Sequence, residues 1–202
     1  MKNAKLCFLF MCLMLTLAGI NHSYAQLQPP APSPSAFVSQ NVGFTKISID
    51  YSSPGVKGRK VFGELEKYGV TWRAGANAPT TIEFSTGVNI DGTNLRPGKY
   101  SIFITPQQSG DWTVHINGKG NAVSAYMKDG KIDEDALAKD DAVTIKVAPV
   151  MASDSQERLT YSISAGDNKV AKVTMSWERI RLSFAVDTQV DQKLEGFKGV
   201  FN

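Results

Sequence analysis

Two guanidinium forks, an ammonium group and an indole stand near one another in an irregular stretch of this chain. That combination suits an anion. Between Tyr51 and Tyr100 the sequence carries Lys57, Arg59, Lys60, Trp72 and Arg73 among glycines, with no sustained periodicity. Arg59 and Arg73 can each present a planar donor fork to a carboxylate, phosphate or sulfate. Lys60 adds a point charge, Trp72 an apolar or stacking wall, and Asn77 and Thr81 neutral hydrogen bonds. These six residues are the predicted ligand-binding site. They also have a plainer reading, because arginine and tryptophan in long loops often pin the loop to a sheet through carbonyls and packing.

Other chemistries find little footing. His22 lies in the N-terminal apolar region, which leaves His115 for the rest of the chain. One imidazole cannot build a zinc site of the usual ligand set, and a catalytic triad would have to use it. It is expected at the surface or facing a neighbouring strand, opposite Trp112, Val114 and Ile116. Gly92 to Lys99 (GTNLRPGK) has Tyr100 where a phosphate loop needs Ser or Thr. Glu64 and Glu66 lie two apart and do not face one another as glycosidic carboxylates would. The acids Asp133, Glu134, Asp135, Asp140 and Asp141 lack the spacing of a calcium loop and read as a solvated face. No cofactor and no metal are called for.

The elements that must position these residues are strands. Thr45, Ile47, Ile49 and Tyr51 alternate with Phe44, Lys46, Ser48 and Asp50, which makes one face of that run apolar. Thr80 to Phe84, Val88 to Ile90, Tyr100 to Thr105, Trp112 to Ile116 and Ala142 to Val147 continue the series. Leu159 to Ile163, Val170 to Trp177 and Ile180 to Val186 complete it. Between them stand turn signals such as Asp91-Gly92, Ser109-Gly110, Asn117-Gly118, Asp129-Gly130 and Gly166-Asp167-Asn168. Ten or so short strands joined this way predict an all-β domain, a single antiparallel β-sandwich or barrel-like fold. Helix is confined to one or two turns in Val61 to Tyr68, about two in Asp133 to Lys139, and a short or frayed tail from Gln189.

The N-terminus reads as a signal peptide, residues 1–25. Lys2 and Lys5 precede an apolar run from Leu6 to Ile20, and Ser23-Tyr24-Ala25 offers a small-residue cleavage site. That run is too short for a membrane span, which takes roughly 20 apolar residues. Cleavage after Ala25 would remove Cys7 and Cys12, and with them any disulfide or thiolate chemistry. It would also leave 20 of the 22 basic residues against 19 acids. So balanced a charge gives no reason to expect nucleic acid or a membrane surface as partner. Residues 26–34 carry four prolines and read as an extended spacer. A domain follows over 35–187, then a tail over 188–202.

Several blocks resemble a family of exported bacterial proteins catalogued as domain of unknown function 2911, common in Bacteroidetes. They are Ser35 to Gln40 (SAFVSQ), Tyr51 to Phe62, Tyr68 to Thr81 (YGVTWRAGANAPTT), Leu95 to Phe103 and Asp111 to Val114. The W-R-x-G-A-N block is the most specific, and Ala74 stands where the family usually has threonine. The resemblance implies a β-rich exported domain and no established activity. The expected function is a non-catalytic binding or interaction domain, periplasmic or secreted, for a small anionic or carbohydrate ligand. One alternative is a hydrolase or lyase on an anionic or carbohydrate substrate that uses neither His nor Cys. Another is a purely structural envelope protein.

Overall fold

Alternation in sequence becomes alternation in burial. In the strand Thr45–Ser52, Thr45, Ile47, Ile49 and Ser52 are buried while Lys46 and Asp50 face water. The structure, a computed structural model, describes residues 29–120, 122–129 and 131–198. The predicted signal peptide, the first residues of the proline-rich spacer, Gly130 and the last residues of the tail lie outside them. The unit considered below begins at Ala31.

Among the described residues the strands run β1 (Ser35–Val42), β2 (Thr45–Ser52), β3 (Thr81–Phe84), β4 (Val88–Ile90), β5 (Thr93–Leu95), β6 (Gly98–Thr105) and β7 (Trp112–Asn117). Then come β8 (Met127–Lys128), β9 (Lys131–Ile132), β10 (Asp141–Val147), β11 (Val150–Ser164) and β12 (Val170–Asp187). One sheet has the order β1-β2-β3-β6-β7-β10 and the other β11-β12-β4-β5, with β8 and β9 forming a separate ribbon. All the pairings are antiparallel. The architecture is an all-β sandwich with two short helices, α1 (Glu134–Asp140) and α2 (Val190–Lys198).

The core lies between the sheets. Ile47, Ile49, Ile82, Ile104, Trp112 and Val114 from the first sheet meet Leu159, Val173, Met175, Trp177 and Val186 from the second in one buried cluster. Burying each large side chain stabilises the fold by about 1.5–3 kcal/mol. At its centre, Phe62 packs edge-on to Trp112 at 4.7 Å, and Trp72 stacks on Trp177 at 5.7 Å. A smaller cluster of Phe103, Tyr126 and Leu137 lies outside the first sheet. There a segment over 122–140, holding a 3-10 turn at Val123–Tyr126, β8, β9 and α1, covers the outer face of β6 and β7. Asp133 starts α1 as its N-cap, accepting from the Ala136 N–H at 3.0 Å.

Three readings of the strands and turns need amendment. Val170 to Val186 is one long strand, not two. The break read at Glu178 is a local kink with Glu178 at φ 50°, beside register shifts in β11 between Met151 and Thr160. Val61 to Tyr68 is not helical, because Gly63 sits at φ 96° and Val61 and Phe62 turn inward to the core. β1, β5, β8 and β9 do not show in the periodicity, since β1 buries only Val42 fully and the others are two or three residues long. Of the two outcomes expected for the tail, a short helix or a frayed end, the described residues form the helix, α2, held by the Lys193 ammonium, which donates to Thr86 Oγ1 at 2.6 Å, Gly87 O at 2.8 Å and Thr188 O at 2.6 Å.

Candidate functional site

The segment from Thr71 to Thr80 is a preset turn. Trp72 exchanges backbone hydrogen bonds with Ile104 on β6, at 2.8 and 2.9 Å, which anchors the start. Ala74 and Asn77 then take positive φ, 53° and 55°, an uncommon conformation for side-chain-bearing residues that surrounding bonds must hold. Those bonds are present. The Ala74 carbonyl accepts from the Thr80 and Tyr161 hydroxyls at 3.0 and 2.8 Å, and the Gly75 carbonyl accepts from the Trp72 indole N–H at 2.9 Å. A Cβ on Gly75 would collide with Thr80 Oγ1, so only glycine fits there without a shift. The turn presents Arg73 outward, its Nη1 donating to Asn77 O at 3.0 Å.

Arg73 stands where two cavities meet. The larger, about 570 Å³, is lined by Glu66, Thr71, Arg73, Val70 and Lys67 on one side and by Val123, Met127, Ile132 and Glu134 on the other. The smaller, about 310 Å³, runs on past Arg73 between Asn77 and Pro79 and the stretch Ala122 to Ser124. Arg73, Val123 and Met127 belong to both, so they form one cleft between the Thr71–Thr80 turn and the covering segment. Its size and its apolar walls with a few polar groups fall in the range that small-molecule sites occupy. Burial pushes the Glu66 carboxyl up to about 7, against the pull of Arg73 and Arg59, which favour its charged form.

Of the six predicted residues, Trp72, Arg73 and Asn77 come together at this cleft, and the rest stand elsewhere. Trp72 is buried in the aromatic core and contributes only its margin to the cleft wall. Arg59 turns back on its own loop, donating Nε–H to Val56 O at 3.0 Å and Nη2–H to Gly55 O at 2.6 Å. Lys60 lies 4.0 Å from Glu64 in an exposed pair. Thr81 opens β3 opposite Asp50 and Ser101, away from the cleft. Asn77 donates its Nδ2–H to Ser33 O at 3.1 Å and so ties the turn to the chain entering β1.

Behind the cleft wall runs a chain of polar groups that starts at the exposed Glu134 and is buried through Thr71, Thr105 and His115. Thr71 Oγ1 donates to Glu134 Oε1 at 2.6 Å and is also hydrogen-bonded to Thr105 Oγ1. Thr105 Oγ1 in turn meets His115 Nε2 at 3.0 Å, and His115 Nδ1 meets Asp141 Oδ2 at 2.7 Å. His115 does face away from Trp112, Val114 and Ile116 and lies opposite Phe103, yet it is buried, because the covering segment closes over that face. Asn117, Tyr126 and Asp140 extend the network: Tyr126 Oη donates to Asp140 Oδ2 at 3.0 Å and lies 3.2 Å from Asn117 Oδ1.

Sequence reasoning passed over Glu66, Thr71 and Glu134, the residues that give the cleft its hydrogen-bonding character. In sequence Glu66 lies only two positions from Glu64, and Glu134 sits within an acidic run that reads as a solvated face. Thr71, beside Trp72, carried a signal only in hindsight, as a hydroxyl next to the anchored tryptophan. A model of a protein family described as "Protein of unknown function (DUF2911)" matches residues 33–186. No curated protein and no solved structure matches the chain.

Proposed function

We propose that this chain, which belongs to the DUF2911 family of proteins of unknown function, is an exported binding protein for a small molecule seated in the Arg73 cleft. The reading is carried by one arrangement: an exposed guanidinium on a preset turn, at the junction of two cavities with apolar walls. Arg73 suits an anionic group, Thr71 and Glu134 suit hydroxyl or amine donors, and Val70, Val123, Met127 and Ile132 suit an apolar body. An acidic sugar or a carboxylate-bearing glycan fragment has that pattern.

A thermal-shift screen against uronic acids, sugar phosphates and peptidoglycan fragments tests it. A ligand that stabilises the wild type should lose about 1.5–3 kcal/mol of binding with Arg73→Lys, which keeps the charge and removes the fork. The melting of the unliganded variant should not move, because the side chain is exposed. A destabilised variant with no stabilising ligand would assign Arg73 to the scaffold. Export is tested separately, by mass spectrometry of the envelope fraction for an N-terminus at Gln26.

A second reading, a hydrolase or lyase on an anionic or carbohydrate substrate, is favoured by Glu66. A carboxyl raised to about 7 in a cleft is poised to exchange protons near neutral pH.

A further inference from the structure

We infer that Glu134 is a second proton-exchanging group of this cleft beside Glu66, with Thr71, Thr105, His115 and Asp141 arranged behind it as a relay. The inference rests on the cleft being a ligand site. It adds that the ligand places an oxygen or nitrogen lone pair against Glu134.

Hydrogen-bond bookkeeping leads there. Each threonine hydroxyl has a single proton to donate. If Glu134 is ionised and accepts from Thr71, then Thr71 has nothing left to give, and Thr105 must donate to it. Thr105 is then spent as well, so His115 Nε2 must carry a proton and donate to Thr105. Nδ1, 2.7 Å from Asp141, must also carry a proton to bond an ionised carboxylate, and the ring is imidazolium.

The opposite polarity satisfies the same bonds. Protonated Glu134 donates to Thr71, Thr71 to Thr105, and Thr105 to a bare Nε2, with Nδ1–H still donating to Asp141. The two arrangements differ by one hop in each of three bonds. A proton leaves Nε2 for Thr105, that of Thr105 goes to Thr71, and that of Thr71 goes to Glu134 Oε1. No atom is gained or lost, and Asp141 stays anionic throughout. The network therefore holds one mobile proton, either at the cleft wall or beneath the sheet. Delivered from Glu134 to a ligand lone pair, it leaves a carboxylate on Glu134 and neutral His115 beside Asp141.

The surroundings suit the role. Thr71, Thr105 and His115 are all buried, so bulk water does not short-circuit the path. On the cleft side, Glu134 shares the wall with Glu66, Lys67 and Arg73. On the sheet side, the Asp141 carboxylate lies near Thr144 Oγ1 at 3.4 Å and Asn117 Nδ2 at 3.5 Å. Asp140 is engaged through Tyr126, and Lys146 donates to Thr113.

Nuclear magnetic resonance of the full chain, with labelled histidine nitrogens and glutamate carboxyl carbons, tests the relay without any ligand. His22→Asn identifies the second histidine signal. A shared proton makes His115 Nε2 and the Glu134 carboxyl respond in one common titration step. Thr71→Val and Thr105→Val, which remove one hydroxyl each, should separate the two responses. Thr71→Ser should restore the common step.

Independent steps in the wild type would overturn the relay, as would a common step that survives both valine variants. If either valine variant fails to fold, the wild-type and Thr71→Ser titrations decide alone. A screen that yields no ligand would sink the binding reading and leave this result untouched, so the two failures are distinguishable.

Discussion

Strands β6 and β7 have two buried faces made of opposite materials. On the inner face, Ile102, Ile104, Trp112, Val114 and Ile116 meet the second sheet almost wholly with carbon, the Trp112 indole N–H being spent on Gln107 O at 2.9 Å. On the outer face, Thr105, Thr113, His115 and Asn117 lie as deep, around Phe103, beneath a short covering segment. Burying carbon needs only area, whereas buried hydroxyls and an imidazole need partners in set directions. The inner face therefore tolerates imprecision in direction, and the outer face does not. A surface of that second kind contributes less stability per area and holds side chains in place far better.

Breaking the inner face should cost most. Trp112→Ala should lower stability by about 3–5 kcal/mol in denaturant unfolding, because the ring is fully enclosed and packs on Phe62. Leu137→Ala, the matching change beneath the covering segment, should cost about 2–3 kcal/mol. Its loss of hydrogen-exchange protection should be confined to 122–140, leaving β2 and β12 protected. If both variants unfold the whole chain alike, the two faces form a single cooperative unit and the contrast between them is wrong.

The outer region should also respond to pH. Glu66 has a folded-state value of about 7 against 4.5 for the free side chain, so the folded chain holds its proton more tightly than the unfolded one. Its contribution is fully present below about 4.5 and is lost as pH rises through 7. With a partly exposed site discounted for solvent screening, the loss should be about 1–2 kcal/mol. Glu66→Gln should flatten the dependence in melts taken across that range.

Smallest are the cations that the cleft leaves out. Arg59→Lys removes the fork on the Val56 and Gly55 carbonyls and should cost about 1 kcal/mol. Lys60→Ala should cost less than about 0.5 kcal/mol, as expected for an exposed pair at 4.0 Å. Ligand affinity should move with neither. An affinity loss at Arg59 equal to that at Arg73 would extend the site beyond the cleft.

The sandwich was legible because alternation is local: Ile47 and Ile49, or Val143, Ile145 and Val147, declare their face within five residues. The cleft was half legible. Arg73 and Asn77 stood out by type and spacing in an irregular segment. Their opposing wall did not, because Glu134 lies sixty-one positions beyond Arg73 and nothing local links the two. Trp72 shows a different limit. Its indole was read as a wall for ligand, but burying that much area against Trp177 and Phe62 wins over exposure in a cleft. In the covering segment only the helix was legible, from the acids that open Asp133 to Lys139; the 3-10 turn and the β8–β9 ribbon were not, because elements of two to four residues are too short to show a period.

The bond between Asn77 and Ser33 has a mechanical consequence. Three consecutive carbonyls ahead of β1 are gripped by the domain: Pro32 by Arg158 at 3.3 Å, Ser33 by Asn77 at 3.1 Å and Pro34 by the Ser53 N–H at 2.8 Å. Asn77 also holds Arg73 through its own carbonyl. A load applied to the chain ahead of Pro32 is therefore borne by Arg158 and then by the turn that carries Arg73 before it reaches the β1–β2 ladder. Were the protein held from that side, tension that overcame the Arg158 grip would displace the guanidinium at the edge of the cleft with the sheets still intact.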